Sequence, residues 1–425
     1  STTPNALYLW TGSGFVEDAE TRGLGDTSSS RGATWLDVNG DEMLDLYLPY
    51  SNNLFVNNGG GTFSDEAAER NMANAGVGYH SSAAADVDLD GDVDLLAVGL
   101  NGVHRLNIND GVGVFSEQAN SRGFRSSDHR YPTGVSVGDV TNDGWPDLYV
   151  NVYIGQDLLF VNDGLGSFTE LGSDWGLASA PDSRGAALWD VEHDGDVDVF
   201  VSSGSWGDTA WVHVEGSSFV DKTAQLGLLD SEDSYSATVG DLDGDGDLDA
   251  VLSSGRLYVN YASRSGLSNW LKVQPLTGSG APSAFGASVH VVCCGGCSVV
   301  GWRSMRVIDG GSGVFSQSAY DAHFGLPDPD GTYNVSVAWV GGNVSDWTTH
   351  PGLGSIVPSS LPPEQRLIVV RPAPVELSVF VDVWDYAALQ REPRGGESVP
   401  LTLTTSPPAR GLSVASAIVN GQDVS

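Results

Sequence analysis

Lysine occurs only at positions 222 and 272 in a chain of 425 residues; every other basic side chain is arginine. Lys and Arg together number 19 against 55 Asp and Glu, a formal charge of −36. Nucleic acid is held by neutralising its phosphates, and an anionic membrane makes the same demand for basic surface. Both partners are therefore excluded, and bound cations, a saline habitat, or both are indicated. Long apolar runs are missing too. No stretch reaches the roughly eighteen residues a membrane-crossing helix needs, so no membrane insertion is expected. The chain opens Ser-Thr-Thr-Pro without a leader-like segment, which reads as a cleaved or trimmed N-terminus. Cysteine is scarce and local: Cys293, Cys294 and Cys297 lie in VVCCGGCSVV. An odd number permits at most one internal disulfide. A hairpin disulfide, three buried thiols, or a metal site borrowing a distant ligand all remain open.

What is abundant is glycine, 55 residues, often in NG, DG and GG pairs that favour tight turns and an all-β chain. Internal repetition then organises it. Five acidic segments align: DVNGDEMLD from Asp37, DVDLDGDVD from Asp86, DVTNDGWPD from Asp139, DVEHDGDVD from Asp190 and DLDGDGDLD from Asp241. A second landmark keeps the same beat, a Phe within a short turn-rich step, at Phe15, Phe63, Phe115, Phe168 and Phe219. These Phe read as core residues between repeats. Short β-like runs flank every acidic segment, so each unit of about fifty residues holds about four strands, the size of one propeller blade. Five blades are recognisable, and six or seven fit the same pattern. ALYLWTGSGFVEDA supplies the later strands of one blade and residues near 245 its first half, so the chain ends are expected to close one blade together. Residues 256–260, RLYVN, already resemble that blade's third strand, which leaves the closure open.

Within each acidic loop the oxygen-bearing side chains occupy positions 1, 3, 5 and 9, usually with Gly at 6. Alternate side chains converge inside such a loop, and Gly allows the sharp turn; this is oxygen-ligand spacing for a hard cation. The last Asp runs straight into a strand, unlike the helical calcium loop with its bidentate Glu at position 12. The candidate ligands are Asp37, Asn39, Asp41 and Asp45; Asp86, Asp88, Asp90 and Asp94; Asp139, Thr141, Asp143 and Asp147; Asp190, Glu192, Asp194 and Asp198; and Asp241, Asp243, Asp245 and Asp249. Calcium suits them better than magnesium, which keeps more of its waters. One ion per loop gives about five. A solvated acidic surface is the plainer alternative, but position-specific recurrence argues against it.

Repeated DxDxDGxxD followed by an apolar strand resembles the FG-GAP/VCBS repeat of integrin-α-type β-propellers over roughly residues 5–262. SNWLKVQPLTG (268–278), FGASVHV (285–291), GGSGVFSQSAYDAHFGL (310–326) and VSVAWVGG (335–342) resemble the ASPIC/UnbV domain. That domain follows such propellers in the cartilage acidic protein family and its bacterial relatives. Two motifs depart from the family pattern: the step expected to carry an Arg reads GAPSAFGAS, and Trp-Pro-x-Gly reads WVGG. The resemblance implies an all-β molecule, a calcium-loop propeller over 1–265 and a smaller β-sandwich-like ASPIC/UnbV domain over 266–370. Residues 371–425 read as a further β segment, packed on the second domain or the start of a longer region. It also implies a secreted, extracellular or cell-surface, non-catalytic adhesion or ligand-binding protein, expected as a monomer.

A ligand is expected on the face opposite the acidic loops. Six residues before each first Asp stand Arg31, His80, Thr133, Arg184 and Tyr235, with Arg130 and Tyr131 just before the third strand start. Arg, His and Tyr around one end of a channel suit an anionic or carbohydrate ligand, protein or glycan. The plainer reading is that these Arg pair with neighbouring acids and seal the channel. Tyr153 and Trp206 lie in the corresponding loops. The rival function is a polysaccharide lyase or glycosidase on a propeller scaffold. That needs two carboxylates across a cleft, whereas the recurrent acids are already assigned to cations. No nucleophile elbow, zinc motif or nucleotide loop occurs, and the neighbours Asp128 and His129 read as a surface turn.

Overall fold

The computed structural model describes residues 5–27, 31–72, 78–99, 102–125, 131–153, 155–177, 182–204, 206–214, 218–229, 232–262, 269–311 and 316–341, together with four short strands beyond residue 350. Among them every regular element is a β-strand. A hairpin of β1 (Tyr8–Trp10) and β2 (Phe15–Glu17) comes first. Four antiparallel four-stranded sheets follow. The first holds β3 (Thr34–Leu36), β4 (Asp45–Leu48), β5 (Asn53–Asn57) and β6 (Phe63–Asp65). The second holds β7 (Tyr79–Ala85), β8 (Asp94–Gly99), β9 (Arg105–Asn109) and β10 (Phe115–Glu117). The third holds β11 (Pro132–Gly138), β12 (Asp147–Val152), β13 (Leu158–Asn162) and β14 (Phe168–Glu170). The fourth holds β15 (Ser183–Trp189), β16 (Asp198–Ser203), β17 (Thr209–Val214) and β18 (Ser218–Asp221). A three-stranded sheet of β19 (Ala237–Gly240), β20 (Asp249–Leu252) and β21 (Leu257–Tyr258) ends the series.

The first strand of each sheet lies against the first strand of the next, β3 on β7, β7 on β11, β11 on β15 and β15 on β19. Sheets standing side by side around their first strands make a β-propeller. This explains why DLLAVG, DLYVNV and DVFVSS are buried at every position: a second strand covered by blades on both faces has no polar side to alternate with. Three of the landmark Phe are core, with Phe115 at 2%, Phe168 at 6% and Phe219 at 4% exposure, whereas Phe63 is half-buried. Phe15 is 70% exposed. Its hairpin stands in a sheet of its own, and β21 already fills the third place beside β20. The chain ends therefore do not share one blade among the described residues.

Two residue types missed in the sequence hold neighbouring blades together. Arg22, Arg70 and Arg122 each stand seven residues after a landmark Phe. Each donates from a guanidinium to carbonyls of the next blade's last hairpin: Arg22 to Gly61, Arg70 to Val112 and Gly113, and Arg122 to Leu165 and Gly166, at 2.7–3.3 Å. Six residues before the Phe stand Asn57, Asn109, Asn162 and, in the fourth blade, His213. Asn109 donates from Nδ2 to the Val38 carbonyl of the preceding blade's acidic loop at 2.9 Å, and Asn162 likewise to Val87 at 2.8 Å. His213 instead stacks between Trp175 and Phe219.

Beyond the propeller, β22 (Trp270–Leu276), β25 (Ala322–Gly325) and β28 (Arg366–Val370) form one sheet. β23 (Ser288–Gly295), β24 (Arg303–Val307), β26 (Thr332–Ala338) and β27 (Ser355–Ile356) form the other. Leu271, Val273 and Phe324 from the first share a core with Val289, Val291 and Val335 from the second, the expected sandwich. β28 runs parallel to β22. Cys293 is bonded to Cys297, and Cys294 lies outside the disulfide with its Sγ 3.2 Å from the Thr332 carbonyl. Of residues 371–425, only a hairpin of β29 (Ala417–Val419) and β30 (Gln422–Val424) falls within the described residues.

The sandwich sits on the acidic-loop face of the propeller. The Gly341 N–H donates to Gly91 O at 2.8 Å, the Met305 N–H to Asp139 Oδ2 at 2.9 Å, and Lys272 Nζ to Asp241 Oδ2 at 2.6 Å. His323 Nε2 is 2.7 Å from Gly246 O. The segment between β24 and β25 reaches the innermost strands, where Trp35 N–H donates to Gly310 O at 2.9 Å and Thr238 Oγ1 to Gln317 O at 2.6 Å. Arg306 is carried into this junction. Burial lowers its pKa, and the charges of Asp190, Asp139 and Asp198 oppose that shift.

Candidate metal centres and the opposite face

All five acidic loops follow one backbone path. Position 4 is left-handed in each (Gly40, Leu89, Asn142, His193, Gly244), and so is position 6 (Glu42, Gly91, Gly144, Gly195, Gly246). A β-carbon is strained there, which is why Gly recurs at position 6; Glu42 takes the same conformation at φ 66. The turn aims backbone N–H groups inward. In every loop the first Asp accepts the N–H of position 6, at 2.8 Å from Glu42 and Gly91, 3.0 Å from Gly144, 2.9 Å from Gly195 and 3.2 Å from Gly246.

The ninth-position Asp ties its loop to the blade. One of its oxygens accepts the N–H of position 2 and the other accepts an N–H from the blade's third strand. For Asp94 these donors are Val87 at 3.0 Å and Asn109 at 2.9 Å; for Asp147, Val140 at 3.0 Å and Asn162 at 2.9 Å. Asp45, Asp198 and Asp249 repeat the arrangement. The fifth-position Asp turns back on its own loop, Asp90 accepting Asp92 N–H at 3.1 Å and Asp143 accepting Trp145 N–H at 3.0 Å.

These carboxylates are buried close to one another. Burial, reinforced by neighbouring acids, pushes Asp86 up to about 8 and Asp139 to about 7. Asp94, Asp147 and Asp198 are raised well above the ordinary carboxylate range for the same reasons. Oxygens of Asp86, Asp88 and Asp94 lie within 4.8 Å of one another, as do those of Asp241, Asp243 and Asp249. Oxygens bound to one calcium at about 2.4 Å stand at most about 4.8 Å apart, so both sets fit that ion. Third positions differ elsewhere. Glu192 is drawn to Lys222 Nζ at 3.1 Å, Asn39 donates to Asp41 Oδ2 at 3.0 Å, and Thr141 lies 3.5 Å from Asp139 Oδ1.

On the opposite face the strand-start residues separate. Arg31 lies over the Tyr50 ring at 5.5 Å. His80 is half-buried with Nδ1 3.0 Å from Pro132 O, and burial, with Arg31 nearby, lowers its pKa. Thr133 donates to Ser183 O at 2.9 Å. Arg184 lies 4.2 Å from the Tyr153 ring centroid and 5.1 Å from that of Tyr235, with Nε 2.5 Å from Asp182 Oδ1. Tyr131 meets Tyr153 edge-on at 6.3 Å. Arg130, with Asp128 and His129, lies outside the described residues. Asp182, Tyr50 and Tyr79 with its partner Arg105, at 5.6 Å, were not singled out in the sequence.

Residues 86–150, 139–201 and 190–252 match the FG-GAP-like repeat, and residues 277–355 match ASPIC and UnbV. The chain is an FG-GAP-repeat β-propeller joined to an ASPIC/UnbV unit. It is similar to cartilage acidic protein 1 of Homo sapiens, 27% identical over 312 residues that cover 70% of this chain and 45% of that protein. The Mus musculus protein is 28% identical, covering 62% and 41%, and that of Xenopus tropicalis 24%, covering 81% and 66%. The chain thus spans less than half the length of the human and mouse relatives. A solved structure, the BP39L lectin from Burkholderia pseudomallei, aligns over 74% of this chain and 97% of its own at 14% identity and a TM-score of 0.38.

Proposed function

We propose that this chain is a secreted, extracellular, non-catalytic binding or adhesion module whose propeller is held rigid by calcium. The observation that carries this reading is the convergence of three carboxylates within 4.8 Å in the second and fifth loops. In the second loop Asp86 and Asp94 are buried, where close carboxylates are favoured by protonation or a shared cation; the fifth loop brings the half-buried Asp241 and exposed Asp243 to the buried Asp249, and both supply hard oxygen ligands at calcium's spacing. The cation contributes neutralising charge; the chain's residues fix the loop, tie it to the third strand and align the blade. The sandwich covers the acidic face, which leaves the strand-start face for a protein or glycan ligand. The relatives named cartilage acidic protein support the extracellular setting. Melting the protein in chelator and in millimolar calcium tests the reading. A large calcium-dependent rise is expected, and identical melting curves would overturn it. Turnover of a bound polysaccharide would favour the lyase or glycosidase alternative.

A further inference from the structure

We infer that the seam between the third and fourth blades, on the strand-start face, is a binding site for a neutral saccharide, with Arg184 at its centre. The inference rests on the reading of that face as the ligand face. Arg184 is held flat by Tyr153 and flanked by Tyr235. Around it aromatic surface stays in water: Tyr131 is 44% exposed, Tyr235 45% and Trp206 74%. Trp206 lies two residues beyond Gly204, whose backbone is packed against the Asp182–Arg184 pair. Had these arginines and tyrosines served only to seal the channel, the rings would be covered.

The platform is also fixed before any ligand arrives. Main-chain bonds tie both sides of the seam and cross it: Tyr153 N–H to Tyr131 O at 2.8 Å within the third blade, Asp182 N–H to Tyr153 O at 3.0 Å across the seam, and Gly204 N–H to Asp182 O at 3.1 Å within the fourth. Asp182 itself is in the left-handed region at φ 64, a conformation that marks a position held by its surroundings. Preorganised aromatic faces cost little ordering entropy on binding.

Charge selects the ligand class. Asp182 is almost buried and lies 2.5 Å from Arg184 Nε, so the guanidinium is already neutralised. The whole chain carries −36, which repels uronates and other polyanions. What remains is a guanidinium edge that donates to hydroxyl oxygens, beside rings that accept the C–H face of a pyranose. A neutral hexose unit uses both features; a carboxylated sugar would have to displace Asp182.

The test is an array of neutral oligosaccharides (glucans, mannans, galactans) and of uronate oligosaccharides, probed with the whole chain in calcium and followed by calorimetry on any hit. The expected result is a neutral hit whose affinity falls by at least about tenfold in Trp206→Ala and in Tyr131→Ala. Both side chains are exposed, so the fold is retained. Arg184→Met, checked by its melting temperature, should abolish binding. Capture of no neutral saccharide, binding of uronates alone, or unchanged affinity in the two aromatic variants would each overturn the inference. A protein ligand lost on Tyr131→Ala, with no sugar bound, would overturn it while leaving the strand-start face as the ligand face.

Discussion

Asp147→Ala separates the structural role of the ninth-position carboxylate from its role toward a cation. In the folded chain Asp147 Oδ2 accepts the N–H groups of Val140 at 3.0 Å and Thr141 at 3.1 Å, and Oδ1 accepts that of Asn162 at 2.9 Å. The carboxylate is fully buried. Removing it leaves three donors without an acceptor in a space closed by the neighbouring blade. Each unsatisfied buried N–H costs about 1–3 kcal/mol. Water entering the vacated space recovers part of this, so the net loss expected is about 3–5 kcal/mol. For a chain of 425 residues, with an unfolding entropy of about 0.9 kcal/mol/K, that lowers the melting temperature by roughly 3–6 °C. Asp90→Ala is the comparison: an exposed loop residue with one backbone bond, to Asp92 N–H, costs about 1 kcal/mol or less in chelator. Urea unfolding in chelator, followed by tryptophan fluorescence, measures both. Should Asp147→Ala stay within about 1 kcal/mol of the parent protein, the ninth Asp does not tie loop to strand.

The remaining predictions concern charge and packing. Asp86 and Asp139 have folded pKa values of about 8 and about 7, above the ordinary 3.8. The cation-free folded state therefore holds more protons than the unfolded state between about pH 4 and pH 8, so its stability falls as pH rises through that window. The loss is about 6 kcal/mol for Asp86 and about 4 kcal/mol for Asp139. Scanning calorimetry in chelator should show melting temperature dropping from about pH 5 to pH 8, with calcium flattening the trend; a chelated profile that rises with pH contradicts the assignment. Phe219→Ala, at a side chain 4% exposed, should cost about 3–5 kcal/mol. Phe15→Ala, at 70% exposure, should stay within about 0.5 kcal/mol. Equal effects in denaturant titrations would contradict the unequal surroundings of the two hairpins.

The blades were legible because the chain repeats itself: the beat of acidic loop and Phe marks the ends of the strands without any knowledge of their partners. The convergence of positions 1, 3 and 9 in the loops from Asp86 and Asp241 was legible for the same reason, since it follows from local turn geometry; the fifth position, which turns back on its own loop, does not join it there. The seam residues carried a signal that went unread. Arg22, Arg70 and Arg122 keep a constant offset from Phe, as do Asn109 and Asn162, yet their carbonyl partners belong to the next blade or the one before. Docking of the sandwich left no local trace. Met305 meets Asp139 across 166 residues, and glycines such as Gly246 are shaped by tertiary approach to Trp270. The Arg184 node was half visible: Arg184 and Tyr235 fall at the strand-start position, but Asp182, which neutralises the arginine, recurs in register only as Asp233, too sparsely to mark a position.

Calcium titrated calorimetrically into chelator-treated protein addresses the central claim most directly. Saturable binding of about five ions is expected, tightest where carboxylates already converge in the loops from Asp86 and Asp241. Asp88→Ala should remove one of the tight sites, and each bound ion should raise the melting temperature. Absence of any binding heat, with melting unchanged in millimolar calcium, would contradict the claim that cations hold these loops.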